Sequence, residues 1–173
     1  MEKHQIQYET VRFHLNGRDV ERTVDVRASL TDMLRNDFRM TSVKKGCEVG
    51  ECGACTVLID GETFNSCIYL AVWAQGKHIR TLEGVLGSDG QLNDVQQAFV
   101  EEAAIQCGFC TPGFVLTAEE ILETGREYTD EQLRKLLSGH LCRCTGYENI
   151  LRAVKKAMYR RLGKEPPQYS QHT

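Results

Sequence analysis

Eight cysteines are the residues of this 173-residue chain whose type and spacing can do chemistry, in the groups "GCEVGECGACTVLIDGETFNSC", "QCGFC" and "LCRC". Cys47, Cys52 and Cys55 run C-x4-C-x2-C, and Cys67 follows after eleven intervening residues. Three clustered thiolates with a fourth from a distance suit a [2Fe–2S] cluster. A loop around such a cluster turns its backbone N–H groups inward while presenting its thiolates, and Gly46, Gly50 and Gly53 provide the backbone freedom. Zinc competes, because four thiolates also make a tetrahedral site. Zinc ribbons usually pair two C-x2-C units, however, and this set has one such unit plus outlying single cysteines.

The second set is Cys107 and Cys110 (C-x2-C) with Cys142 and Cys144 (C-x-C), 31 residues apart. One intervening residue makes a Cys142–Cys144 disulfide a small, strained ring. Both pairs precede expected helix starts at Thr111 and Thr145. An oxidised cluster with four thiolates carries a charge of about −2, which suits the positive end of a helix. Arg143 adds positive charge beside it. On spacing alone, one zinc held between helices stays open for this set. A thioredoxin-like pair at Cys107 and Cys110 lacks the surrounding βαβ pattern. A framework of disulfides suits exported chains, and metal-type spacings speak against it here.

The elements that must position these thiols divide into two halves. Residues 1–83 read as β-rich. "VRFHLNGRDVERTVDV" alternates around Asn16-Gly17, a hairpin signal, and "CTVLIDGETFNSC" folds back at Asp60-Gly61. "SLTDMLRNDF" places Leu30, Met33, Leu34 and Phe38 at helical spacing behind a Ser29 cap, and "KHIRTLEG" closes as a short strand. Residues 84–90, "GVLGSDG", read as a linker without core pattern. Residues 91–163 predict four helices. Leu92, Val95, Phe99 and Ala103 mark the first, Thr111-Pro112 caps the second, Thr129 with Gln132 caps the third, and Thr145 with Glu148 repeats that device. Residues 164–173 read as a loose tail.

Composition narrows the function. Apolar residues make up 41% and the net charge is −3 with both signs interspersed, which gives a core but no basic nucleic-acid footprint. No apolar run reaches the ~18 residues of a membrane span. "MEKHQIQYET" lacks an apolar export signal, so a cytoplasmic location is expected. There is no G-x-G-x-x-G after a strand, no Walker loop and no Ser/His/Asp arrangement. The acidic runs "EEAA" and "AEEILE" read as solvated helix faces.

Together "GCEVGECGACTVLIDG", "QCGFCTPG" and "LCRCTGY" resemble the iron–sulfur subunits of the molybdenum hydroxylases, the xanthine dehydrogenase and aldehyde oxidoreductase family. "SVKKGCEVGECGACTVLIDG" and "YLAVWAQGKHIRTLEG" are most similar to the small subunits of bacterial xanthine dehydrogenases. The resemblance spans residues 8–160 and implies an α+β fold. A β-grasp, plant-type ferredoxin-like domain is followed by a four-helix domain, each with one [2Fe–2S] cluster. Cys47, Cys52, Cys55 and Cys67 would hold the first, and Cys107, Cys110, Cys142 and Cys144 the second. The resemblance also implies a molybdopterin-binding large subunit near the helical-domain cluster and an FAD-binding medium subunit near the other. Gln106 matches the position that hydrogen-bonds the pterin, and Cys144 the ligand that also touches it. His140 departs from the asparagine usual there and reads as a substitution at a helix C-terminus. A Rieske-type centre would need two histidines, and His4, His14, His78 and His172 show no matching loop. The expected function is electron relay with no catalytic residue on this chain, serving xanthine or hypoxanthine hydroxylation. The alternatives are a free-standing ferredoxin-like carrier or a subunit of an aldehyde or N-heterocycle hydroxylase.

Overall fold

The computed structural model describes residues 7–87, 90–167 and 169 and opens on the expected hairpin. Strands β1 (Tyr8–Leu15) and β2 (Arg18–Asp25) pair antiparallel from Tyr8–Asp25 to Leu15–Arg18. Asn16 and Gly17 have φ of 50° and 78°, the paired positive angles of a type I′ turn. Ser29 Oγ accepts the Asp32 N–H at 3.1 Å and starts α1 (Leu30–Asn36), which ends before Phe38. β3 (Thr56–Ile59) and β4 (Glu62–Asn65) turn at Asp60-Gly61, and β5 is His78–Arg80. The sheet order is β2-β1-β5-β3-β4, with β5 parallel to β1 and antiparallel to β3. Leu30, Met33 and Leu34 pack with Val11, Phe13, Leu15, Val57 and Ile59 to form the core of this β-grasp unit.

The second half is helical: α2 (Asp94–Glu101), α3 (Thr111–Glu123), α4 (Asp130–Leu136) and α5 (Glu148–Arg161). Ten of the thirteen residues of α3 are buried, because α3 lies between β3 and β4 on one side and α2 and α5 on the other. β3 is buried on both faces. Val57 and Ile59 enter the first core, while Leu58 joins Phe99, Phe114, Leu116 and Ile150 in the second. The halves therefore share a strand, which explains why "VLI" is a continuous apolar run rather than an alternating one.

Several local expectations change. The Thr129–Gln132 capping box forms (2.9 and 3.3 Å), and Asn93–Gln96 makes an unforeseen second one (3.0 and 2.9 Å). Thr111 is the first helical residue of α3 rather than its cap; Cys110 takes the cap position. No Thr145–Glu148 box forms, because the chain enters α5 through Tyr147 at φ 70°. α2 ends at Glu101, and Ala103 lies past it at φ 50°. Val85, expected in a linker, is 3% exposed and packs into the helical core. Arg152 lies 4.8 Å over the Tyr169 ring, so that part of the expected tail packs on α5. Residues 168 and 170–173, and 1–6, lie outside the described residues.

Glu119, expected on a solvated face, is 4% exposed. It accepts from Asn93 Nδ2 at 2.7 Å and Arg161 Nη2 at 2.8 Å, while Arg161 also grips Asp94 at 2.6 and 2.8 Å. The helix that carries it is wrapped on two sides, so a glutamate on its "AEEILE" stretch must be paired to be buried.

Candidate metal centres

The first centre combines Cys47, Cys52 and Cys55, on the loop between α1 and β3, with Cys67 just past β4. Val49 N and Glu51 N donate to Cys47 Sγ at 3.4 and 3.3 Å. These amide donors, Val49 first, hold the Cys47 thiol down at about 6. Donors that favour the thiolate are what a ligand sulfur requires. Cys67 lies oppositely: burial, and then the neighbouring Cys55 thiol, push it up to about 11. The loop is fixed from outside by Lys44 N to Ala54 O (3.0 Å), Asn65 Nδ2 to Gly50 O (2.8 Å) and Ser66 Oγ to Cys55 O (2.6 Å). Thr31 and Ser66 share a buried hydroxyl contact of 2.7 Å beneath it. A Cβ on Gly46 would stand 2.8 Å from Cys52 Sγ, so the loop closes tightly around its sulfurs.

The second centre lies between the N-terminus of α3 and the loop before α5. Cys144 Sγ is 3.5 Å from Cys107 Sγ. The outer pair, Cys107 and Cys144, is exposed; Cys110 is buried and Cys142 half-buried. Burial, then the Cys142 thiol, push Cys110 up to about 12. Cys107 is lowered by the Phe109 N–H, and Cys144 is raised as the donor to Cys107. Burial works against the Cys142 thiolate, but the Thr145 hydroxyl and the Thr145 and Cys144 amides outweigh it and lower its pKa.

Both sets fit a two-iron cluster better than one ion. Cys107 and Cys144 meet through their sulfurs at 3.5 Å, and the thiol of Cys52 acts on the acidity of Cys47, that of Cys55 on Cys67 and that of Cys142 on Cys110. A [2Fe–2S] core takes two thiolates on each iron. In the second set each pair combines one cysteine from either motif. Cys142 and Cys144 would thus serve as two ligands of one cluster rather than as a disulfide.

His140 sits where the two centres meet. It is 6% exposed, with Nε2 2.7 Å from Thr117 Oγ1 and its ring 4.7 Å from that of Phe114. Nδ1 is buried against Gly53 without a well-formed hydrogen bond. Burial holds the imidazole down at about 4, offset in part by the Gly53 backbone, so the ring is neutral at physiological pH. Next to it, Leu141 N donates to Cys52 O at 3.1 Å. Instead of ending a helix at the surface, His140 fills the joint. Gly53 has φ +69°, and a Cβ there would fall 2.2 Å from His140 Nδ1 and 2.5 Å from Gly139 O. Gly53→Ala is therefore expected to lower stability by about 2–5 kcal/mol through left-handed strain and overpacking. A urea midpoint within error of the parent would contradict this.

The fold order matches two profiles, "2Fe-2S iron-sulfur cluster binding domain" over residues 13–79 and "[2Fe-2S] binding domain" over residues 81–155. The nicotine 6-hydroxylase small subunit of Paenarthrobacter nicotinovorans is 50% identical over 143 residues, covering 83% of this chain and 86% of its own. The xanthine dehydrogenase iron-sulfur-binding subunit of Escherichia coli O157:H7 is 47% identical over 147 residues, covering 84% and 91%. The chain belongs to the iron–sulfur subunits of the molybdenum hydroxylases. Quinoline 2-oxidoreductase from Pseudomonas putida 86 superposes on this subunit with a TM-score of 0.85 at 40% identity, covering 93% of this chain and 99% of that one. Aldehyde oxidoreductase from Desulfovibrio desulfuricans ATCC 27774 gives 0.84 at 37% identity, covering 90% of this chain but 17% of that one.

Within the subunit, Cys107 and Cys144 meet through their sulfurs at 3.5 Å, and all eight sequence-predicted thiols are free of disulfides. Gln106 is exposed beside the outer thiol of Cys107, and Arg143 is exposed beside Cys142. Sequence reasoning missed three residues. Thr117 anchors His140; Tyr147 accepts the Cys142 N–H on its hydroxyl at 2.9 Å; Thr145 contacts Cys142 Sγ at 3.1 Å. The signal for the last two was their place directly after "CRC", overridden there by the helix-cap pattern.

Proposed function

We propose that this subunit passes single electrons between a molybdopterin-binding large subunit and an FAD-binding medium subunit of a heterocycle hydroxylase. Cys47, Cys52, Cys55 and Cys67 ligate one [2Fe–2S] cluster, and Cys107, Cys110, Cys142 and Cys144 the other. The clusters supply one-electron storage that thiolate ligation supports with little rearrangement. The carrying observation is the link between the two loops: Leu141, adjacent to Cys142, donates its N–H to the carbonyl of Cys52 at 3.1 Å. A ligand residue of the first set is thus joined by one backbone hydrogen bond to the neighbour of a ligand of the second, in a joint filled by the buried His140 and Phe114.

The exposed edge at Cys107 and Cys144 faces the pterin, where the Gln106 side-chain amide, also exposed, hydrogen-bonds it. The half-exposed Cys47 end of the other loop faces the flavin. Partner chains are implied by relatives that are themselves named as small or iron-sulfur-binding subunits. Relatives named for nicotine, xanthine and quinoline support an aromatic N-heterocycle as the substrate class, and within that class xanthine or hypoxanthine is our candidate, on the stretches "SVKKGCEVGECGACTVLIDG" and "YLAVWAQGKHIRTLEG". Among the described residues no helix is long and apolar enough to cross a membrane, in keeping with a cytoplasmic complex.

Purification from native cells tests this reading. The expected result is co-elution with two larger subunits, bound molybdenum and FAD, and dye reduction driven by xanthine or hypoxanthine. Elution as an iron-replete monomer without either partner would instead establish a free-standing carrier. Activity confined to nicotine or aldehydes would replace the substrate and keep the role.

A further inference from the structure

Thr145 looks like a helix cap in the sequence and is not one in the fold. α5 begins three residues later, at Glu148, and the residue before it, Tyr147, adopts φ 70° with a bulky side chain. That conformation is held because the Tyr147 ring packs edge-on against Phe114 at 6.4 Å and its hydroxyl accepts the Cys142 N–H at 2.9 Å. The tight turn brings the Thr145 hydroxyl to 3.1 Å from Cys142 Sγ.

The direction of that contact follows from counting protons. A hydroxyl has one proton and two lone pairs. The Tyr147 N–H donates to Thr145 Oγ1 at 3.2 Å and so occupies a lone pair. The hydroxyl proton is left for the other neighbour, the sulfur of Cys142. A thiolate is an acceptor only, so the contact on a ligated Cys142 is O–H···S. At the first centre Cys47 is served by backbone amides instead, from Val49 and Glu51. Amide donors come with any side chain, whereas the Thr145 donor is set by residue type.

From this arrangement we infer that Thr145 tunes the second centre, its hydroxyl raising that centre's reduction potential by donating to Cys142 Sγ. Reduction adds one electron, and the extra negative charge spreads onto the ligand sulfurs. A donor aimed at one of them stabilises the reduced form more than the oxidised one. Removing the proton while keeping the shape should make the centre harder to reduce. The inference rests on the cluster assignment above and adds a residue that is not a ligand.

The test is a redox titration of the intact complex followed by paramagnetic resonance, which reads the two centres separately. In Thr145→Val the second centre is expected to shift to a more negative potential while the first stays in place. Thr145→Ala, which also lacks the hydroxyl and adds no bulk, is expected to shift the same way, and it serves if the valine chain fails to assemble. Thr145→Ser keeps the proton and should titrate as the parent does. An unmoved second centre in both hydroxyl-free chains overturns the inference, as does a serine chain that shifts as far as valine. Equal movement of both centres would mean a general loosening and would overturn it too. A parent complex that shows no pair of distinguishable signals defeats the cluster assignment itself, a different failure from the others.

Discussion

A Cys142→Ser subunit is expected to keep about two of its four irons and lose one of the two paramagnetic signals of the reduced protein. Cys142 is half-buried and neighbours the buried Cys110 on the inner side of the second centre. Serine at physiological pH offers a neutral hydroxyl where a thiolate is needed, so a cluster held by this set would lose one of its four protein ligands. The first centre should survive. Its thiols come from the loop before β3 and from Cys67 just past β4, and Asn65, Ser66 and the Lys44 amide brace them from within the first half. Iron and acid-labile sulfide analysis beside spectra of the reduced sample reads both halves of the expectation. Loss of both signals in a chain that still unfolds cooperatively would mean the eight thiols act as one site.

Arg161→Ala is expected to destabilise the helical unit by about 3–5 kcal/mol, because it strands a buried carboxylate. Glu119 is 4% exposed and would keep Asn93 as its neutral partner while losing its charged one. Asp94 would lose both of its bonds to the guanidinium at once. The effect should depend on pH in a set direction. Burial works to raise the Asp94 pKa, but Arg161 outweighs it and holds the carboxyl below its ordinary value. A depressed carboxyl stabilises the fold fully above its unfolded pKa of about 4, and that contribution fades as pH falls through the lower folded value. The parent should therefore lose stability below about pH 4 more steeply than the alanine chain. Urea midpoints at neutral pH and across that acid window measure both quantities. Parallel acid limbs would show that the Asp94–Arg161 pair does not carry the linkage.

Much of the metal chemistry was legible in residue spacing. C-x4-C-x2-C, C-x2-C and C-x-C are covalent facts, and a loop of a few residues can place its thiols in few ways. The two hairpins were equally legible, because Asn16-Gly17 and Asp60-Gly61 need positive φ at both turn positions and few residue pairs accept that. Where two local signals competed, the sequence misled. Thr145 and Glu148 have capping-box spacing, yet Phe114 and the Cys142 amide together hold Tyr147 in a left-handed turn that delays the helix. Both partners are remote from the capping pattern or hidden inside it.

Sequence alone thus determined which atoms are available to bind iron, the order of a β-rich half and a helical half, and the turn chemistry within each. Tertiary structure alone decided which thiols meet, that His140 closes the joint between the loops, and that Glu119 is buried against Arg161. The division has one physical cause. Ligand spacing and turn propensity act over a few bonds, whereas burial and pairing depend on which faces come together, and α3 is wrapped by elements distant from it along the chain.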